Sequence, residues 1–393
     1  MVIREAGSEA DRRAVQDLLR EGFEVRPGVG DAFAQLYCDV ENARSLVAVV
    51  DEVVVGHVLL ALRTFMIGGV QIPGGILAMV VVAPHCRGQG IGGALIQEAE
   101  RMAHNAGALL LQLAGDPRFY MRFGFVPAYV RARAVVDRVE AHSGKCMLRS
   151  ANVNDLADLV VLSNLDVSSG AVCATEDRWR WVLNTRYPKS LLMHNDRFFG
   201  FCAQGDDCLI ESEFGFVRGC WNGDILAIYE AASVDDVSAE DLFTKVGLWA
   251  HDLGCSQIAF HLPSNNDLML AAIDHGASYK VWEENELQIK LIDIPGILSH
   301  CQDLFARRAQ AAAFDGVLKM RVGEQSFVLD FGATDDQSPR YEVYLPEIGL
   351  ARALLGTDCL SDRLGMQSAR MPGSLLDALF SQKDPYFWLA DTL

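Results

Sequence analysis

Between Leu77 and Gly93 the chain reads LAMVVVAPHCRGQGIGG, and this stretch restricts the possible folds more than any other. Leu77 to Ala83 is a continuous apolar run holding Val80, Val81 and Val82, which suits a strand buried on both faces. Pro84 to Gln89 is a turn carrying one cation, Arg87. From Gly90 onward Leu95, Ile96, Ala99 and Met102 recur at helical spacing. A strand feeding a glycine-rich turn and then a helix leaves backbone N–H groups free where the helix starts, which is a site for phosphate. Glycine is useful there because a side chain would hold the anion off the backbone.

Two kinds of ligand use such a site. Gly88, Gly90 and Gly93 match the G-x-G-x-x-G of a dinucleotide turn, with Asp116 near the spacing of a ribose-binding acid. Pro84 and Arg87 count against it, because a dinucleotide turn takes its first glycine directly off the strand. Leu46 to Leu62 also counts against it: two apolar runs broken at Asp51-Glu52 read as an antiparallel hairpin and not as a βαβ unit.

The run V-x-x-P-x-x-R-G-x-G-I-G, with Arg87, Gly90 and Gly92 as R-x-x-G-x-G, resembles the acetyl-CoA motif of the Gcn5-related N-acetyltransferases (GNAT). The resemblance continues through a second strand, Leu109 to Ala114, to the segment ending Tyr120-Met121-Arg122-Phe123-Gly124-Phe125, whose Y-x-R-F-G-F is typical of that family. It implies that pyrophosphate sits on Arg87, Gly88, Gln89, Gly90, Ile91, Gly92 and Gly93. The pantetheine arm would pair with the strand at Val80, Val81 and Val82. Acetyl-CoA is then a substrate, and no metal is expected.

Composition sets outer bounds. A chain of 393 residues is too long for one compact core and predicts two or three domains. Lys+Arg number 34 against 52 Asp+Glu, a net charge of −18, which argues against nucleic acid and favours cationic ligands such as amines. The same charge also fits a plainly solvated acidic surface. The ten cysteines form no C-x-x-C pair and no cluster at metal-ligand spacing. Neither a signal-peptide core nor an apolar run of transmembrane length is present, so a cytoplasmic location without membrane partners is expected.

Three parts are expected along the chain. Residues 1–140 begin with a strand, Val2-Ile3-Arg4, and a helix from Ser8 to about Glu21 opened by a Ser8/Asp11 capping box. A loop from Phe23 to Asp31, a second helix through Tyr37, the hairpin, the central motif and further strands follow. Residues 146–290 read as a partial repeat: Met147-Leu148-Arg149 echoes Val2-Ile3-Arg4, and Asn152 to Leu165 echoes the first helix. Asp224 to Ala232 matches the central strand, Ser238 and Asp241 would cap the next helix, and Ser256 to Leu262 would be the next strand. This copy lacks R-x-x-G-x-G and carries Ser233, Asp235, Asp236 and Glu240 instead, acids that would repel phosphate. Residues 294–393 open with a helix from Ile297 to Ala312, then a hairpin (Gly316 to Val322, Ser326 to Phe331) and helices at Pro346 to Leu355 and Gly373 to Phe380.

That order resembles the Eis-type acetyltransferases. The implied fold is α/β (α+β): tandem acyl-CoA N-acyltransferase folds, the second degenerate, and a C-terminal α+β sterol-carrier-like domain. The implied reaction moves an acetyl group to a primary amine of a small cationic molecule or a lysine side chain, in a homo-oligomer. A longer acyl-CoA, or acetyl-CoA sensing without turnover, stays open. Tyr120 stands where the family places the general acid, and phenol and thiol pKa values normally lie within about 1.5 units. The terminal carboxylate of Leu393 would be the base, with Asp391 as competitor. Glu24 and Asp31, in the loop after the first helix, would face the amine.

Overall fold

A computed structural model describes residues 1–23, 29–39, 43–137, 148–165, 170–184, 206–211, 214–332, 339–356 and 373–380. Its first part comprises β1 (Val2–Glu5), α1 (Glu9–Gly22), α2 (Val29–Asp39), β2 (Ala43–Val50), β3 (Val53–Ile67), β4 (Val70–Val82), α3 (Ile91–Asn105), β5 (Leu110–Ala114), α4 (Pro117–Tyr120) and β6 (Val126–Val136). The same order recurs as β7 (Arg149–Ser150), α5 (Leu156–Leu165), α6 (Glu176–Asn184), β8 (Asp206–Glu211), β9 (Gly215–Asn222), β10 (Ile225–Ser233), α7 (Asp236–Asp252), β11 (Gln257–Phe260), α8 (Asp267–Asp274) and β12 (Ser278–Leu291).

Local chemistry repeats with the topology. Ser8 accepts from the Asp11 amide at 3.0 Å, Asp11 accepts from the Ser8 amide at 3.1 Å, and Arg4 grips Asp11 with both guanidinium nitrogens at 2.7 and 2.8 Å. In the second copy Asn152 and Asp155 form the same box and Arg149 grips Asp155 at 2.5 and 2.8 Å. A cap residue, an acid three residues on and an arginine from the preceding strand thus start the first helix of each copy. The β2–β3 hairpin turns on Asp51 and Glu52, both at positive φ (48° and 66°), as a type I′ turn demands.

All twelve strands form one sheet, ordered β1-β2-β3-β4-β5-β12-β6-β11-β10-β9-β8-β7. The two copies exchange their last strands. β12 pairs with β5 of the first copy, β6 pairs with β11 of the second, and β6 and β12 run antiparallel to each other at the centre. Helices cover both faces. A Cβ on Gly56 of β3 would lie 3.0 Å from Leu95 of α3, whereas its neighbour His57 reaches Ser45 and the ring of Tyr37 in α2.

The remaining elements are α9 (Ile294–His300), α10 (Gln302–Ala311), β13 (Val317–Val322), β14 (Gln325–Asp330), β15 (Arg340–Leu345), α11 (Glu347–Leu355) and α12 (Gly373–Leu379). A second sheet has the order β14-β13-β15. Its core merges with the closed end of the β3–β4 hairpin, where Phe65, Ile67 and Ile72 meet Leu298, Phe305, Leu350 and Phe380.

Three sequence expectations need correction. The segment 297–312 is two helices, not one. Asp293 caps the Gly296 amide at 2.9 Å and starts α9 early, and the chain bends at buried Cys301 so that Ile297 and Phe305 both reach the core. The cap of α7 is Asp235, which accepts from the Ser238 amide at 2.8 Å, and not the Ser238/Asp241 pair. Asp31 lies in the first turn of α2, which begins at Val29, rather than in a loop.

The strand exchange has a consequence for isolated halves. In residues 1–140, β6 would lose both neighbours and β5 would lose one, leaving bare hydrogen-bonding edges. Expressed alone, this piece should aggregate or form larger species in size-exclusion chromatography with light scattering. A monomer with native-like near-ultraviolet circular dichroism would contradict this.

Candidate active site

The centre of the first copy is a fork. β4 and β5 pair in parallel from Gly74↔Leu110 to Leu77↔Leu113 and then part. β4 continues to Val82, while β5 ends at Ala114, so the β5-side edge of residues 78–82 has no strand beside it among the described residues. On its other side β4 stays with β3 but bulges. Ala78 pairs with Leu59 and Val81 with His57, leaving Met79 and Val80 opposite Val58 alone. Met79 sits at φ 51°, a conformation a methionine takes only where the surroundings hold it.

The turn after β4 leads into an open helix start. Gly90 is the N-cap of α3 at φ 81°, with no side chain to cap the helix, and Gly88 has φ 78°. A Cβ at either would meet nothing within 4 Å, so both glycines line open space. Among the described residues the amides of Gly88 to Gly93 have no acceptor, and Ala94 is the first to bond back, to the Gly90 carbonyl at 3.0 Å. Arg87 is exposed, its Nε donating to the Val82 carbonyl at 3.2 Å. This is a cradle of N–H dipoles with one exposed cation beside it, a site for a diphosphate.

The second copy closes the same places with its own side chains. The carboxylate of Asp235 occupies the N-terminus of α7. Past the last β10–β11 pair, Ile228↔Phe260, the buried Glu230 is ion-paired with Arg178 at 2.9 Å and Arg218 at 3.3 Å. Glu240, another of the acids noted in the sequence, is held by His275 at 2.8 Å. Three charged side chains thus gather at the stretch of β10 that corresponds to the unpaired stretch of β4.

Tyr120 ends α4, whose cap Asp116 accepts from the Arg118 amide at 2.9 Å. Its ring lies against Gly115, where any Cβ would collide with it, and edge-on to Phe119 and Phe125 at 4.9 and 6.1 Å. Phe119 and Phe123 in turn approach Gly92 and Gly93 of α3, so the tyrosine and the helix start share one wall. The hydroxyl has no partner among the described residues, and burial pushes the phenol up to about 12. The sequence-level match to a thiol is therefore wider than expected, because burial disfavours the phenolate.

Asp31 is exposed and ion-paired to Arg20 at 3.1 Å. Glu24, Asp391 and Leu393 lie outside the described residues. The structure adds residues that no motif announced: the Met79–Val80 bulge and, beneath it, His57, Ser45 and Tyr37 in one hydrogen-bonded series. The visible hint was a histidine inside the otherwise apolar run VVVGHVLLAL.

Residues 3–128 match the acetyltransferase (GNAT) domain. Among solved structures, a GCN5-related N-acetyltransferase from Kribbella flavida superposes with a TM-score of 0.68 at 19% identity, covering 100% of this chain and 98% of its own. A GCN5-related N-acetyltransferase from Anabaena variabilis ATCC 29413 gives 0.68 at 13% identity, covering 98% and 99%. Eis1 from Mycobacterium abscessus gives 0.65 at 17% identity, also covering 98% and 99%. At these identities the likeness concerns the fold, and it extends over the whole chain. No curated protein sequence matches. The chain thus carries a GNAT acetyltransferase domain on an Eis-like architecture, and it is an acyltransferase.

The open helix start yields a direct test. Gly90→Asp should install in α3 the carboxylate that Asp235 supplies to α7. Isothermal titration should then show coenzyme A binding weakened by at least about 100-fold, two oxyanions having to share one set of amides. The melting temperature should fall only slightly, since one non-glycine residue at positive φ costs about 1–2 kcal/mol. Unchanged affinity would remove the cradle from the binding site.

Proposed function

We propose that this protein, whose residues 3–128 form a GNAT acetyltransferase domain, transfers the acetyl group of acetyl-CoA to a primary amine. The acceptor would be a small cationic molecule or a lysine side chain. The observation that carries this reading is the pair of open features on the first copy, the uncapped α3 and the bare edge of β4, both closed on the second. In this reading residues 1–140 are catalytic, residues 146–290 are the degenerate copy and residues 294–393 a sterol-carrier-like domain.

The pantetheine amides would hydrogen-bond to the free edge of β4 at Val80 to Val82, replacing the strand that has left. The diphosphate would take the amides of Gly88 to Gly93, and Arg87 would leave the Val82 carbonyl to neutralise it. The neutral amine then attacks the thioester carbonyl. A carbon–nitrogen bond forms, and the oxyanion is met by a main-chain N–H of β4. On collapse the carbon–sulfur bond breaks and the thiolate leaves along a hydrogen bond from the Tyr120 hydroxyl, to be protonated by solvent. The proton lost from the ammonium goes to the terminal carboxylate of Leu393 or to Asp391. With the phenol at about 12, complete transfer to a thiolate near 8.5 is uphill by about 5 kcal/mol. Tyr120 therefore acts best as a hydrogen-bond donor that stabilises the departing sulfur and keeps its own proton. Glu24 and Asp31 would draw the cationic acceptor, whose ammonium would displace Arg20 from Asp31.

Titration with acetyl-CoA, followed by thiol release on a panel of amines, tests the reaction. Tyr120→Phe should lower kcat about 100-fold, within the usual range for a lost general acid, and leave acetyl-CoA affinity unchanged. Because burial holds the phenol near 12, wild-type kcat should show no alkaline limb below about pH 10. Removing residues 391–393 should likewise reduce kcat more than cofactor affinity. Full activity after that deletion would exclude the terminal base.

A further inference from the structure

His57 is fully buried on β3, directly below the β4 bulge. Its Nδ1 lies 3.0 Å from the Met79 carbonyl oxygen and its Nε2 lies 3.0 Å from Ser45 Oγ, which lies 3.0 Å from the Tyr37 hydroxyl. Burial drives the imidazole pKa down to about 4, so the ring is neutral. A carbonyl only accepts, so the ring proton is on Nδ1 and points at Met79. Nε2 is then an acceptor, and Ser45 donates to it.

The Met79–Val80 peptide is trans, like every described peptide bond. In a trans peptide the C=O and N–H point in opposite directions. With the Met79 carbonyl drawn toward His57, the Val80 N–H points away from the imidazole, on a stretch of β4 that β5 no longer accompanies. Neither Met79 nor Val80 has a pairing residue on β3, so the ladder does not fix this peptide. The second copy lacks the device: there Arg218 faces Glu230 and engages its carboxylate.

We infer that His57 is a positioning residue for acetyl transfer: by gripping the Met79 carbonyl it aims the Val80 N–H at the thioester carbonyl, and Ser45 and Tyr37 fix its tautomer. This rests on the acetyltransferase reading above. His57 touches neither substrate, and its influence passes through one peptide plane. Because Tyr37 belongs to α2, the same series ties the orientation of that donor to the helix pair beside the fork.

His57→Leu and His57→Asn are close in size, and only asparagine keeps an N–H near the place of Nδ1. In His57→Leu, kcat should fall about 100-fold, the loss typical of one oxyanion donor, while KM and Kd for acetyl-CoA stay within threefold. His57→Asn should recover at least tenfold of that loss. A second readout needs no turnover. The carbonyl stretch of bound ¹³C-labelled acetyl-CoA should lie at lower frequency in wild type and His57→Asn than in His57→Leu. Should His57→Leu fail to fold, Ser45→Ala, which keeps the imidazole but frees its tautomer, should give a partial kcat loss with the same carbonyl trend. Equal kcat and carbonyl frequency in folded His57→Leu and wild type, or no advantage of asparagine over leucine, would overturn the inference alone. Absence of acetyl-CoA binding by wild type would overturn the proposed function and this inference together.

Discussion

The parting of β4 from β5 after Leu77↔Leu113 is the constraint on which the rest of the structure depends. A strand edge in the middle of a sheet is costly, because its N–H and C=O groups have neither protein nor easy access to water. The fork is kept open by what happens on either side. β3 stays with β4 past the parting, and the bulge at Met79 adds twist on that strand. β5 is held by β12, delivered from the second copy, and Gly115 at its end is pinned to that strand twice. Its amide donates to the Glu286 carbonyl at 2.9 Å, and its own carbonyl accepts from Gln288 at 2.9 Å. The strand exchange therefore does more than join two halves. It anchors the arm of the fork against which Tyr120 rests.

Comparing the copies separates what the fold requires from what chemistry requires. Both have the bulged central strand, the parallel partner and the helix that follows. They differ, among the described residues, at the helix start and beyond the fork. In the second, a capping aspartate occupies the helix start, and a buried Arg–Glu–Arg ion group lies beyond the last β10–β11 pair. Buried ion groups of this kind add little net stability over a well-packed apolar core, but removing one member leaves an uncompensated charge. The second copy lends β12 to the first and places Trp181 of α6 between its own core and that of the first copy.

Much of this was readable in the residues, for local reasons. Ser8 with Asp11, the Asp51-Glu52 break and the period of Leu95, Ile96, Ala99 and Met102 all act within a few positions of themselves, and each produced the element expected. The glycine turn was readable because positive φ at Gly88 and Gly90 is a backbone demand that few other residues meet. What escaped was non-local. Nothing near β6 or β12 says that each pairs across the copy boundary, since both would read the same beside their own copy. His57 escaped because a single histidine in an apolar run becomes informative only when Met79, 22 positions later, is seen to present it a carbonyl. The bend at Cys301 escaped because the apolar period continues across it.

Chain geometry bears on the proposed terminal base. α12 ends beside the closed end of the β3–β4 hairpin. Arg308, which lies against Gly68, donates to the Leu379 carbonyl at 2.6 Å. The fork is at the other end of β4, since Val81 is 13 residues beyond Gly68. At about 3.3 Å per residue along a strand that separation is about 43 Å. From Leu379 to Leu393 there are 14 residues, and a fully extended chain spans at most about 3.3–3.6 Å per residue, or about 46–50 Å. The reach suffices, but by only a few ångströms, and any helical turn in the segment would use it up, since a helix advances about 1.5 Å per residue. A carboxylate at Leu393 can meet an amine at the fork only by running nearly straight along the sheet. Asp391, two residues nearer, has still less reach.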